Sequence, residues 1–334
     1  MRIIVNKDIL EIANTPQTWK LHLLMIFACQ GRHEIIFDPP DSINIWLDQL
    51  DYNTKEIYKK IYNKIIKLIL STPNIIPSVY ITTTPNDNPQ TPRHGLSLDQ
   101  ALHLLNEPLG VMVENADNDW AFLLGILPTE IRKKVIDAEE KGWLICLHGG
   151  GSTLERQLEK RAKNPNKRWR TFVLFDSDRL HPDELQPEWQ PPNRQTCQAY
   201  WIEQQLAISY PGQYWRLNRR SIESYMPHDR LQRASRQNQN IHADAADAFR
   251  RLSRDGQRHF NIKKGFAGDD NPENRHRCRE LYDNVNDDDR TALARGFLGS
   301  LANHYQDAIE QEFNWDEDAR TEAWQAALCL KRLL

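Results

Sequence analysis

No apolar run in these 334 residues comes near the roughly 20 needed to cross a bilayer. The longest near the start, Leu21 to Cys29, is far shorter, and no small-residue cleavage site follows it. The reading therefore expects neither a membrane span nor a signal peptide. Cysteine is scarce: Cys29, Cys146, Cys197, Cys278 and Cys329 are odd in number and dispersed, with no CxxC spacing. That argues against a disulfide scaffold or a structural zinc site and fits a reduced, cytoplasmic setting. Neither sign of charge dominates, with 43 Lys and Arg against 46 Asp and Glu and a net charge of −3. Any nucleic-acid binding must then come from a local patch rather than a global basic field. Glycine is sparse at 14 residues and forms neither GxGxxG after a first strand nor GxxxxGK[ST]. Dinucleotide binding and a resident P-loop ATPase are thereby set aside.

What is present is enough for a real core, since hydrophobic residues make up 40% of the chain. The length exceeds the roughly 100–200 residues of one ordinary domain and predicts two or three structural units, and the texture along the chain divides it into three parts. Residues 1–105 open on a short strand (RIIV) and continue in mixed helical patterns, the clearest being Thr54 to Leu70, where isoleucines recur near helical period between lysines. This part reads as an α+β unit of unknown role. Thr82 to Arg93 has three prolines and no periodicity, which predicts a linker or exposed loop. Residues 106–230 alternate short apolar runs (GVMV, WLICL, TFVLF, QYWRL) with helical stretches at Trp120 to Leu127, Thr129 to Lys141, Thr153 to Ala162 and Thr196 to Ala207. That alternation is an α/β signature, and crossovers of this length force a small parallel sheet flanked by helices. Residues 231–334 read as a helical C-terminal part, including Ala243 to Leu252, Arg290 to Phe313 and Asp316 to Leu334.

Ligands of parallel sheets bind at the carboxyl ends of the strands, and the residues there are informative. The first run ends in Glu114. The second ends in His148-Gly149-Gly150-Gly151-Ser152, where glycines permit close backbone approach and the following helix aims N–H groups at an anion, so that His148, Gly149 and Gly150 are candidate phosphate contacts. The third ends in Asp176-Ser177-Asp178, and the fourth is followed by Arg219, Arg220 and Glu223. Two carboxylates 4 Å apart repel by about 4 kcal/mol at an effective dielectric of 20, so a gathering of acids implies a neutralising cation, Mg²⁺ or Mn²⁺. Two such ions can clamp the attacking and leaving oxygens of a phosphodiester.

A strand ending in Glu (VMVEN), a glycine turn and a strand ending in Asp-x-Asp (TFVLFDSD) resemble the Toprim domain of topoisomerases, primases and nucleases. RRSIESY is similar to the segment ending in Ile-Glu-Asn-Tyr of the Toprim domains of OLD-family nucleases and several phage-defence effectors. Asn115 stands where the family has glycine. The resemblance covers about Leu109 to Pro227 and implies that Glu114, Asp176, Asp178 and Glu223 hold the metal ions. It also implies that Lys263 or Lys264, in HFNIKKGF, stabilises charge on the phosphate. It further implies a metal-dependent endonuclease acting on DNA or RNA in anti-phage or anti-plasmid defence, with an ATPase supplied by a separate polypeptide.

Two basic stretches flank these strand ends. Arg156 to Arg170 carries seven Lys or Arg, and Arg216 to Arg236, which includes Arg219 and Arg220, carries six Arg beside aromatics. Both suit a phosphate backbone, and each is alternatively a solvated helix face. LHGGG also resembles the oxyanion turn of lipases and esterases, but the chain has no GxSxG elbow to supply a nucleophile. The competing reading from another class is a catalytically silent Toprim scaffold or regulatory subunit that binds a partner ATPase or nucleic acid.

Overall fold

The computed structural model describes residues 1–11, 18–70, 78–85, 95–150 and 153–334. It contains two four-stranded sheets, each wholly parallel. The first is built from β1 (Arg2–Asn6), β2 (Glu34–Asp38), β3 (Ser78–Ile81) and β4 (Gly95–Leu96) in the order β2-β1-β3-β4. The expectation of an α+β unit is therefore corrected to α/β. The helix Thr18–Cys29 returns the chain from β1 to β2, and the helix Tyr52–Leu70 lies between β2 and β3. Returns of that length carry each strand back to the same end, so neighbours run parallel. The expected loop at Thr82 to Arg93 falls mostly outside the described residues.

The second sheet follows β5 (Leu109–Val113), β6 (Leu144–His148), β7 (Thr171–Phe175) and β8 (Tyr214–Arg216), in the order β6-β5-β7-β8. β5 and β7 are buried along their whole length, as parallel strands covered on both faces must be. Their helices are Asn118–Ile126, Thr129–Glu140, Leu154–Ala162 and Gln198–Ser209. Register aligns Met112 with Val173, so continuing both strands sets Glu114 one step short of Asp176 across the switch point between β5 and β7.

From Met226 onward the described residues form helices and turns. One cluster of buried side chains runs from Leu109 to Leu333, so these helices share the core of the second sheet. The stretch Arg290 to Phe313 differs from the single helix its periodicity suggests. A helix at Asp287–Ala292 ends, the chain turns, and a 3₁₀ segment spans Gly299–Ala308. The turn docks on the loop at 262–266, where Phe297 N–H donates to Ile262 O at 2.7 Å and Leu298 N–H to Lys263 O at 3.1 Å. Gly265 makes this approach possible. It sits at φ +62°, and a Cβ there would collide with the backbone of Leu293 and Gly296.

An aromatic group underlies the second sheet. Phe122 lies 5.1 Å from Tyr305, 5.3 Å from Tyr225 and 5.9 Å from Trp215, ring centre to ring centre. Tyr305 O–H donates to Ile222 O at 2.5 Å, anchoring the turn that carries Glu223.

Candidate functional site

Acidic side chains collect at the carboxyl ends of β5 and β7 because the backbone there is stitched to the segment after β8. Asp178 N–H donates to Arg220 O at 3.0 Å, Ser177 O–H to Arg219 O at 2.8 Å, and Ile222 N–H to the Asp176 carboxylate at 3.0 Å. The next residue, Glu223, is 2% exposed. Its Oε2 accepts from Ser221 O–H at 2.7 Å, and its Oε1 lies 3.0 Å from Lys263 Nζ. Asp178 adopts φ +54°, a left-handed conformation that Asp tolerates better than most side chains.

Glu114 and Asp176 face each other electrostatically. Burial first, then the charges of Asp178 and Asp119, push Glu114 up to about 7, while the Asp176 N–H and Lys263 pull the other way. Burial, Glu114 and Glu223 hold Asp176 well above the usual carboxylate range. Water reaches Asp178 directly, yet the protein packed around it still raises its carboxyl against the pull of Arg220 and Lys263. Sequence reasoning missed Asp119, which is buried and pushed up to about 6 by burial and by Glu223. It accepts from Asn115 N–H at 2.8 Å, which aims it back at the strand end. Its signal was its position, five residues after Glu114 in the first turn of a helix.

Lys263 is the cation among these acids. Burial opposes its charge, but Glu223 and Asp176 outweigh that and raise its ammonium above the ordinary lysine value. Lys264 is exposed and forms no ion pair among the described residues.

The remaining candidates serve other ends. Gly149 is buried with its N–H on Val113 O at 2.6 Å, and a Cβ there would meet Leu154 and that same carbonyl. Gly150 N–H donates to Glu114 O at 3.0 Å, and the Thr153 hydroxyl closes the turn on both glycine carbonyls. The glycines thus let the β6 turn pack tightly against β5. His148 is exposed, and Gly151 and Ser152 lie outside the described residues. Arg219 forks onto Asp316 at 2.6 and 2.7 Å, and Arg220 onto Asp269 at 2.5 and 2.8 Å. Both guanidinium groups are committed to tying the C-terminal helices to the strand end. In the first basic stretch Arg161, Arg168 and Arg170 likewise turn inward, onto Thr171, Ser209 O and Glu107 O.

Among the described residues, no three His, Cys, Asp or Glu side chains are arranged to hold a metal ion as they stand. The chemistry of the donor set still suits a hard divalent cation. Glu114, Asp119 and Asp176 offer carboxylate oxygens whose ionised forms are disfavoured by burial and mutual repulsion, and a cation would relieve that strain. Comparison with known families, curated proteins and solved structures gives no match to this chain.

Proposed function

We propose that the chain is a metal-dependent nuclease of Toprim type, hydrolysing phosphodiester bonds of DNA or RNA at the carboxyl ends of β5 and β7. The observation that carries this reading is the convergence of Glu114, Asp119, Asp176, Asp178 and Glu223 around one ammonium, Lys263, at the switch point of a parallel sheet. A bound Mg²⁺ or Mn²⁺ would polarise the phosphoryl group and lower the pKa of water. Glu114, Asp119, Asp176 and Glu223 are the residues to hold it. Glu114, whose carboxyl burial and neighbouring acids hold above the ordinary range, is placed at the strand end either to hold the ion or to accept a proton from attacking water. Lys263 carries positive charge to the place where a phosphate would arrive. The similarity of RRSIESY to phage-defence effectors extends the proposal to a defence setting with a separate ATPase partner.

One observation favours the second reading, a silent scaffold: Lys263 already neutralises Glu223, as a resident counter-cation would in a site that binds no metal. The test is cleavage of plasmid DNA, single-stranded DNA and total tRNA with Mg²⁺ or Mn²⁺, beside Asp176→Asn and Glu114→Gln. Metal-dependent cutting lost in both variants supports the nuclease. Cutting that survives in either variant refutes the assigned centre. No cutting, with or without the separate ATPase partner, favours the scaffold.

A further inference from the structure

The amino ends of the two sheets meet on the side away from the acids. Arg2 opens β1 and Glu34 opens β2, while Trp143 immediately precedes β6 and Arg170 immediately precedes β7. Between them lies a cavity of about 360 Å³, within the range of small-molecule sites. Strands of five residues at about 3.3 Å each place it about 16 Å from the carboxylates. It is therefore a separate place from the site described above.

Its lining is strongly basic. Arg2, Arg32, Lys134, Arg170, Lys331 and Arg332 face Glu34 and Asp137, so among the lining side chains cations lead six to two. Glu34 is taken by Arg2 at 3.1 Å, and Asp137 by Lys141 at 2.8 Å. Among the described residues the other five cations have no side-chain carboxylate within ion-pair distance. Arg32 is 8% exposed, and although its Nη2 donates to Asn106 O at 3.0 Å, its buried Nε has no partner among the described residues. Arg170 is fully buried and, among the described residues, its guanidinium bonds main-chain carbonyls alone, those of Glu107 and Leu333. Trp143 walls one side, with Arg32 6.0 Å and Lys141 4.7 Å from its ring.

An uncompensated buried guanidinium is costly unless a ligand pairs with it. We propose that this cavity binds a small phosphorylated anion, with Arg32 and Arg170 at its floor and Lys134, Lys331 and Arg332 at its rim. Guanidinium groups fork onto phosphate oxygens, and the Trp143 ring, over which Arg32 and Lys141 sit, is the surface for which a base would compete with them if the ligand is a nucleotide. The surrounding electrostatics agree. Burial and the Arg32 charge push Arg170 down to about 9, and burial together with nearby positive charge holds His33 well below its ordinary value.

The experiment is calorimetric titration of the full chain with inorganic pyrophosphate and, separately, with ATP. It is run in EDTA at matched ionic strength so that the acidic site takes no part. The expected result is saturable one-site binding of at least one probe, retained in Glu114→Gln and weakened at least tenfold in Arg32→Gln. Lys134→Gln combined with Lys331→Gln, two changes at the rim, weakens it similarly and serves if the Arg32 variant does not fold. Loss of ATP affinity alone in Trp143→Ala supports a nucleotide, whereas equal binding of both probes supports the phosphate group as the recognised element. Absence of saturable binding by both probes, or undiminished binding in a folded Arg32→Gln and in the rim variant, overturns the proposal.

Discussion

Replacing Glu114 by Gln should make the protein more stable at pH 8 and blind to divalent cations, and the size of both effects follows from the crowding of acids. Glu114 titrates at about 7 in the folded chain against an ordinary 4.5. The folded state therefore binds its proton more tightly, and between those values it carries more protons than the unfolded chain. Stability fully present below pH 4.5 is accordingly lost as pH rises through 7. At about 1.4 kcal/mol per pH unit, ionised Glu114 costs about 3 kcal/mol, of which about 2.5 kcal/mol falls between pH 5 and pH 8. Asp119, at about 6, adds a loss in the window from 3.8 to 6, less than additively because the two acids sense each other. Urea unfolding in EDTA reads this directly. The wild type should lose about 2–3 kcal/mol more than Glu114→Gln on going from pH 5 to pH 8. Saturating Mg²⁺ at about 100 times its Kd should return about 2.7 kcal/mol to the wild type at pH 8, and little to the variant. Parallel pH profiles for the two proteins would refute the crowding on which the site rests.

Lys263→Met should cost about 1–2 kcal/mol at pH 8 in urea unfolding, less than the 3–5 kcal/mol of a fully buried pair, because 44% of the Lys263 side chain is exposed and water screens the remaining charge. Arg220→Ala, which strands the nearly buried Asp269, should cost about 3–5 kcal/mol, and Arg220→Lys should recover only part of it because the contact is a two-pronged fork. Phe122→Ala empties the middle of the aromatic group and should cost about 3–5 kcal/mol, read as a fall in Tm.

The second sheet was legible because each strand is a short apolar run ended by a polar residue. Thr171–Phe175 has the bounds its sequence suggests, Leu109–Val113 differs by one residue at its start, and Leu144–His148 is shifted by one residue at both ends. The strand-end positions of Glu114 and Asp176 were legible for the same reason, since an acid directly after a buried strand has few places to go, whereas Glu223 lies seven residues beyond β8 and was singled out through RRSIESY. The partners of Arg219 and Arg220 were not. Asp316 and Asp269 lie 97 and 49 residues further along, and no local spacing links them. Asp119 was hidden by its place in a helix's first turn, where an acid normally needs no explanation beyond the helix dipole. The parallel pairing of the N-terminal sheet was missed because its strands are widely spaced and its helices dominate the pattern.

The two sheets share one strand order, with the first strand in the sequence lying between the outer second and the third. Topology alone would give each a crevice at the matching switch point. In the first sheet that place holds Asp8, but its Oδ2 already accepts from Thr82 O–H at 2.8 Å, Thr83 N–H at 2.9 Å and Thr83 O–H at 2.6 Å. These bonds favour its ionised form and lower its pKa, the opposite of Glu114 and Asp176. A carboxylate satisfied by hydrogen bonds ties β1 to the end of β3, whereas Glu114 and Asp176 are crowded by neighbouring acids with one lysine among them and resist ionisation. The same arrangement of strands thus yields a hydrogen-bonded fastening in one half and a group of crowded, destabilised acids in the other, and it is the donors around each acid that decide which.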